Sequence, residues 1–214
     1  MTHALIDTDV LYKTSIYGLL NHLLADLPYK SESCSMLGAA KFMVGKKLAK
    51  KPPTRGAEIA LAEFADALKR ISALEPSEEE ISLAAELEFR AQKLALELDG
   101  GESLLCAVLL KRQCTYMMSG DKRAMVALGA MSDDDIANGM QGKFLCLEQV
   151  IEYLLSRLGY DVLKTAVCGE ANADKAISNC FSCGSQNTDS DSCQQGLQSY
   201  IGDLRAKAPN ILAY

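Results

Sequence analysis

Ala4-Leu5-Ile6-Asp7-Thr8-Asp9-Val10-Leu11 decides the fold. An apolar run without polar alternation predicts a strand buried on both faces, as in a parallel sheet. The two aspartates around Thr8 then predict a turn. Beyond them Val10, Leu11, Ile16, Leu19, Leu20, Leu23 and Leu24 recur at mostly helical spacing, so the unit reads strand, turn, helix. The same texture returns downstream. Cys114 to Met118 is uncharged, ends in Ser119-Gly120-Asp121, and is followed by a helical pattern from Lys122 to Leu128, before Gly129. Phe144-Leu145-Cys146-Leu147 predicts another strand, and Glu148 to Leu158 a helix closed by Gly159. Alternating strands and helices imply an open parallel sheet covered by helices. Sites in such sheets form outside the carboxyl ends of the strands, where both Asp7 and Asp121 fall.

Between these units lie two long helical patterns. Leu61, Phe64, Leu68 and Ile71 share one face and end before Pro76. Ser77 and Glu80 have capping-box spacing and precede Ile81, Ala84, Leu87, Ala91, Leu94 and Leu98, with Gly100-Gly101 as the expected stop. The pair is expected to form a helical hairpin over about 57–98. Leu104 to Leu110 predicts one more helix, and Ser132-Asp133-Asp134-Asp135 the start of another. Beyond Cys168 the chain turns to Ser, Asn, Gln, Asp and Gly, as in Gly184 to Ser192, and reads as a loop-rich tail.

Composition narrows the function. The 214 residues carry 22 Lys and Arg against 28 Asp and Glu, a formal charge of -6, which argues against gripping nucleic acid with the whole surface. Charge is nevertheless segregated: Lys41, Lys46, Lys47, Lys50, Lys51 and Arg55 form an acid-free stretch, suited either to a phosphate backbone or to a solvated helix face. No apolar run approaches the roughly 18–20 residues of a membrane span. The first residues lack a cationic region ahead of an apolar one, unlike a secretory signal, so the expected location is the cytoplasm. Eight cysteines are then expected to stay reduced.

Familiar catalytic sets are scarce. His3 and His22 are the only histidines, neither has suitable company for a triad or histidine-rich zinc site, and no phosphate-binding glycine loop is present. Carboxylates remain. Asp7, Asp9, Asp99, Glu102 and Asp121 could converge on one cleft, and crowded carboxylates ionise together only with a cation to neutralise them. Hard oxygen donors suit Mg²⁺ or Mn²⁺, and metals so held suit phosphodiester displacement. Taken singly, acids at helix starts are also caps and dipole partners.

The residues themselves carry a resemblance. Ala4 to Leu11 is similar to the opening strand of PIN domain nucleases. Leu98-Asp99-Gly100-Gly101-Glu102-Ser103, followed by Met117-Met118-Ser119-Gly120-Asp121, resembles the blocks in which that family starts a helix with Gly-Glu and delivers an aspartate on the next strand. Gly139 to Leu147 and its helix look like the family's last strand unit. The resemblance covers residues 2–160 discontinuously. It implies an α/β fold, a three-layer α/β/α sandwich with a central parallel sheet, in a domain over 1–165 with an inserted helical hairpin over about 57–98, and a cysteine-containing extension over 166–214. It further implies a Mg or Mn dependent endoribonuclease, with Asp7, Glu102 and Asp121 as metal-binding carboxylates, Asp9 assisting and Ser119 hydrogen-bonding nearby. A further acid expected of the family aligns with neither Glu32 nor Glu58 unambiguously. The substrate so implied is RNA, steered by the basic stretch from Lys41 to Arg55, with no membrane partner. An antitoxin-like protein partner, a homo-oligomer and a catalytically inactive RNA- or protein-binding module all stay open.

Four cysteines in the tail form a separate set. Cys180-Phe181-Ser182-Cys183 gives one C-x-x-C, flanked by Cys168 and Cys193, and could close a zinc tetrahedron; reduced thiols or a redox-labile pair are the alternative. Cys34, Cys106, Cys114 and Cys146 sit among apolar residues and read as small core residues.

Overall fold

A computed structural model of the chain describes residues 3–131, 135–185 and 189–213. Met1, Thr2, residues 132–134 of the expected helix start, residues 186–188 of the polar stretch and Tyr214 lie outside them.

Five strands form one parallel sheet in the order β3-β2-β1-β4-β5: β1 (His3–Ile6), β2 (Ser33–Leu37), β3 (Ile71–Leu74), β4 (Tyr116–Ser119) and β5 (Phe144–Cys146). In β1 the pleat sends Ala4 and Ile6 to one face and Leu5 to the other, and all three are fully buried, which is why the run is apolar throughout. One face carries α1 (Thr8–Ile16), α2 (Leu20–Ala25), α3 (Gly38–Lys50), α4 (Ala57–Ala67) and α9 (Leu147–Leu158). The other carries α5 (Glu78–Lys93), α6 (Gly100–Lys111), α7 (Lys122–Ala130) and α8 (Asp135–Asn138). Helices on both faces of a parallel sheet make a three-layer α/β/α arrangement.

The order of the strands places the site. From β1 the chain winds outward through β2 and β3, then returns to lay β4 on the opposite side of β1. The carboxyl ends of β1 and β4 therefore flank the point where the winding reverses, where a parallel sheet leaves a crevice. Asp7 follows one of these strands and Asp121 the other.

Several expectations need correction. The first helical pattern is broken in two, with Gly18 at φ +73 between α1 and α2. Ile71 does not end a helix; it opens the edge strand β3, and α4 stops at Ala67. The hairpin is consequently formed by α5 with α6, not by α4 with α5. Glu80 accepts from Ser77 N at 2.8 Å and from Arg112 Nε at 2.6 Å at one end, and Ser103 Oγ donates to Glu88 at 2.6 Å at the other. Helix α5 ends at Lys93, and Gly100-Gly101 starts α6 under the cap of Asp99 rather than stopping α5.

The loop-rich tail is instead helical: α10 (Tyr160–Gly169), α11 (Lys175–Cys180) and α12 (Ser190–Lys207). Helix α10 runs across the expected boundary at 165, and Leu163, Val167, Ile177, Phe181, Cys193 and Leu197 share the core of β1. Further along α12, Ile201 and Leu204 sit in the core of the other face. Beyond α12, Ala213 N donates to Phe144 O at 2.8 Å and Leu212 bridges Phe144 in parallel, so the chain covers the β5 edge.

Candidate active site

Asp7 caps α1 at the end of β1. Its Oδ1 accepts from Val10 N at 2.7 Å, and its Oδ2 accepts from Ser119 Oγ at 2.7 Å and Gly120 N at 2.9 Å, so one carboxylate ties β1 to the end of β4. The group is buried, and burial pushes its pKa up to about 6 against the pull of those three donors, with the neighbouring negative charge of Asp9 adding to the rise. Both oxygens of Asp7 are thus engaged, and the buried side chain is not among the residues that line the neighbouring cleft.

Four carboxylates from four separate segments line one cleft of about 500 Å³: Asp9, Glu102, Asp121 and Asp174, together with Gly120, Lys122 and Arg123. Asp121 caps α7, its Oδ1 accepting from Arg123 N at 2.8 Å and Ala124 N at 3.0 Å, while Arg123 Nη2 lies 3.5 Å from Oδ2. Ser119 Oγ accepts from Asp121 N at 3.1 Å, so this hydroxyl joins the two strand-end aspartates. Glu102 stands in the first turn of α6, set by the Asp99 cap, and its Oε2 is buried with no hydrogen-bond partner among the described residues. Gly120 lets Asp9 approach closely: a Cβ on it would lie 2.0 Å from Asp9 Oδ2, so a larger residue there would displace that carboxylate.

Asp174, the fourth acid of the cleft, is not announced in the sequence as a site residue, because it lies beyond Cys168, where the polar composition predicts a loop-rich tail. The signal was Asp174-Lys175-Ala176-Ile177, an N-cap followed by a helix; Oδ1 accepts from Ile177 N at 3.0 Å. Lys13 Nζ lies 2.6 Å from Asp9 Oδ2 and 2.8 Å from Asp174 Oδ2, bridging the two. Burial disfavours the charge on both Lys13 and Asp174, yet the pairing wins: Asp9 and then Asp174 raise the ammonium's pKa, and Lys13 and the Ile177 N–H lower that of Asp174. Lys122 pairs with Glu148, a residue buried in the first turn of α9 whose Oε2 has no partner among the described residues.

Glu32, just before β2, and Glu58, in the first turn of α4, are exposed and do not line this cleft. The donor chemistry of the cleft suits a hard divalent cation. As the side chains stand, however, no three of the described His, Cys, Asp and Glu residues form a group able to hold a metal ion.

The basic stretch divides. Lys46, Lys47, Lys50 and Lys51 are exposed and Lys41 is half-buried. Arg55 turns inward, donating to Ile16 O and Ser15 O at 2.6 Å each and to Glu63 Oε2 at 2.7 Å, so it fastens α1 to α4 and does not belong to an open phosphate-binding surface. The tail cysteines divide as well. Cys168 and Cys183 form a disulfide, which removes two of the four expected zinc thiolates and shows that not every cysteine is reduced; Cys180 and Cys193 are buried free thiols. Cys34, Cys106, Cys114 and Cys146 are buried in the core as expected. A roomier cavity of about 620 Å³, lined by Tyr29, Tyr153, Gln149, Gln194 and Gln198 among others, holds none of the strand-end acids.

Compared with protein families, curated proteins and solved structures, the chain matches none. No helix of the described residues is long and apolar enough to cross a membrane.

Proposed function

We propose that the protein is a Mg²⁺ or Mn²⁺ dependent endoribonuclease of PIN type, cutting single-stranded RNA in the cleft beside Asp7. The observation that carries this reading is the gathering of Asp9, Glu102, Asp121 and Asp174 around one cleft at the reversal point of a parallel sheet. Glu102 and Asp121 would hold the cation, Glu102 through its unpartnered Oε2. When bound, the ion supplies activation of water and neutralisation of charge on the phosphodiester. Asp7 positions: it locks the ends of β1 and β4 so that Asp9 and Asp121 keep their places. Lys122 and Arg123, in the cleft wall, offer cations to the phosphate.

A second reading has its own support. The Lys13 ammonium already satisfies Asp9 and Asp174, and the acids do not converge into a ready-made ion group. A catalytically silent RNA-binding module would have this arrangement. Incubating the full chain with single-stranded RNA and Mn²⁺, beside Asp121→Asn, separates the two. Cleavage by wild type that Asp121→Asn lowers about 100-fold or more supports the nuclease; equal cleavage by both, or none by either, rejects it.

A further inference from the structure

Helix α3 buries Ala40, Val44 and Leu48 in the core and turns a different chemistry outward. Phe42 is 70% exposed and Met43 58%, although a phenylalanine gains most by burial. Lys41 Nζ lies 4.8 Å from the Phe42 ring centroid. Phe42, Lys46 and Lys50 follow one another at four-residue steps, one stripe about 12 Å long at the helical rise of about 1.5 Å per residue.

The lysines of this face, Lys41, Lys46, Lys47, Lys50 and Lys51, form no ion pairs among the described residues, whereas Lys13, Arg55, Arg112 and Lys122 all do. Residues 38–51 contain no acid. In a protein of net charge -6, an unpaired cationic stripe beside an exposed aromatic ring complements a polyanion with flat bases. The face also leads to the cleft. Lys47 Nζ sits 3.7 Å from the Tyr12 ring centroid, and Tyr12 lies one turn beyond Asp9 on α1. A membrane-docking helix would turn a continuous apolar face outward, but the continuous apolar face of α3 is in the core.

We infer that the outer face of α3 is a binding surface for single-stranded RNA, with a base stacked on Phe42 and phosphates on Lys46 and Lys50, guiding the strand past Lys47 and Tyr12 toward the acid cleft. The choice of polymer rests on the nuclease reading; the surface itself is tested without catalysis. Fluorescence anisotropy of a labelled single-stranded RNA, in EDTA, is expected to show binding that Phe42→Ala weakens about 5- to 100-fold and Phe42→Trp retains. Lys46→Gln with Lys50→Gln is expected to flatten the slope of log affinity against log salt by about 1.4. Duplex RNA, whose bases are not free to stack, binds more weakly. Circular dichroism of each variant confirms that α3 stays folded. Unchanged affinity in both variants, no binding by wild type, or Phe42-dependent sedimentation with phosphatidylcholine–phosphatidylserine vesicles in place of RNA binding overturns the inference. Phe42-dependent binding in EDTA without cleavage in Mn²⁺ rejects the nuclease alone; Asp121-dependent cleavage with Phe42-independent binding rejects the α3 surface alone.

Discussion

The cleft and the outer face of α3 are both densely charged, and they treat charge in opposite ways. In and beside the cleft the fold supplies partners: three donors for Asp7, Lys13 between Asp9 and Asp174, two backbone N–H groups for Asp121. On α3 none of the lysines is in an ion pair among the described residues, and the ring beside them faces solvent. Charge enclosed in a protein must be matched there, since desolvation penalises it, whereas charge in water costs little and can be kept for a partner. Asp7, Asp9, Asp121 and Asp174 therefore belong to the stability of the molecule, and the α3 lysines do not.

The contrast is sharpest at Asp7. Asp7→Ala would leave Val10 N, Ser119 Oγ and Gly120 N without their acceptor, and a loss of about 3–4 kcal/mol in urea denaturation is expected. A smaller loss would mean that the strand ends are held by backbone pairing alone. Acidity gives the next effect. Asp7 is raised from 3.8 to about 6 by burial, so the folded state holds the proton more tightly than the unfolded chain. Unfolding free energy should then fall by on the order of 2–3 kcal/mol as pH rises from about 4 to about 6, and level off above. Asp174, whose pKa is lowered, has the opposite sign: its contribution is present above the ordinary carboxylate range and is lost on acidification. Asp7→Asn should abolish the decline between about pH 4 and 6, in denaturation curves collected across that range in EDTA. The smallest effect is on α3, where Lys46→Gln with Lys50→Gln should move stability by less than about 0.5 kcal/mol. A larger change would erase the distinction between the two regions.

The legible parts of the chain were those where one segment suffices. β1, β4 and β5 read as apolar runs because both of their faces are buried, and the Ser77–Glu80 capping box forms as its spacing predicts, with both hydrogen bonds present. Ser33-Cys34-Ser35-Met36-Leu37 did not read as a strand, since its two serines interrupt the pattern although Ser35 is fully buried. Ile71 continued a helical spacing and only pairing with β2 makes it strand. In the tail, Cys193, Leu197, Ile201 and Leu204 form an apolar stripe at helical steps, hidden by the serines and glutamines of the opposite face. The candidate site followed the same rule. Asp7, Glu102 and Asp121 are announced by local motifs, whereas Asp174 reaches the cleft only because α10 and α11 pack onto the core, and Arg55 looked like surface because its partners, the carbonyls of Ser15 and Ile16, lie some forty residues away.

Titration of the full-length protein with Mn²⁺, followed by calorimetry, tests most directly whether these carboxylates share a cation. Saturable binding by wild type, weakened about tenfold or more by Glu102→Gln and by Asp121→Asn, is expected. Absence of binding by wild type, or equal binding by both variants, would leave a sheet edge lined with helix caps and no metal-dependent chemistry.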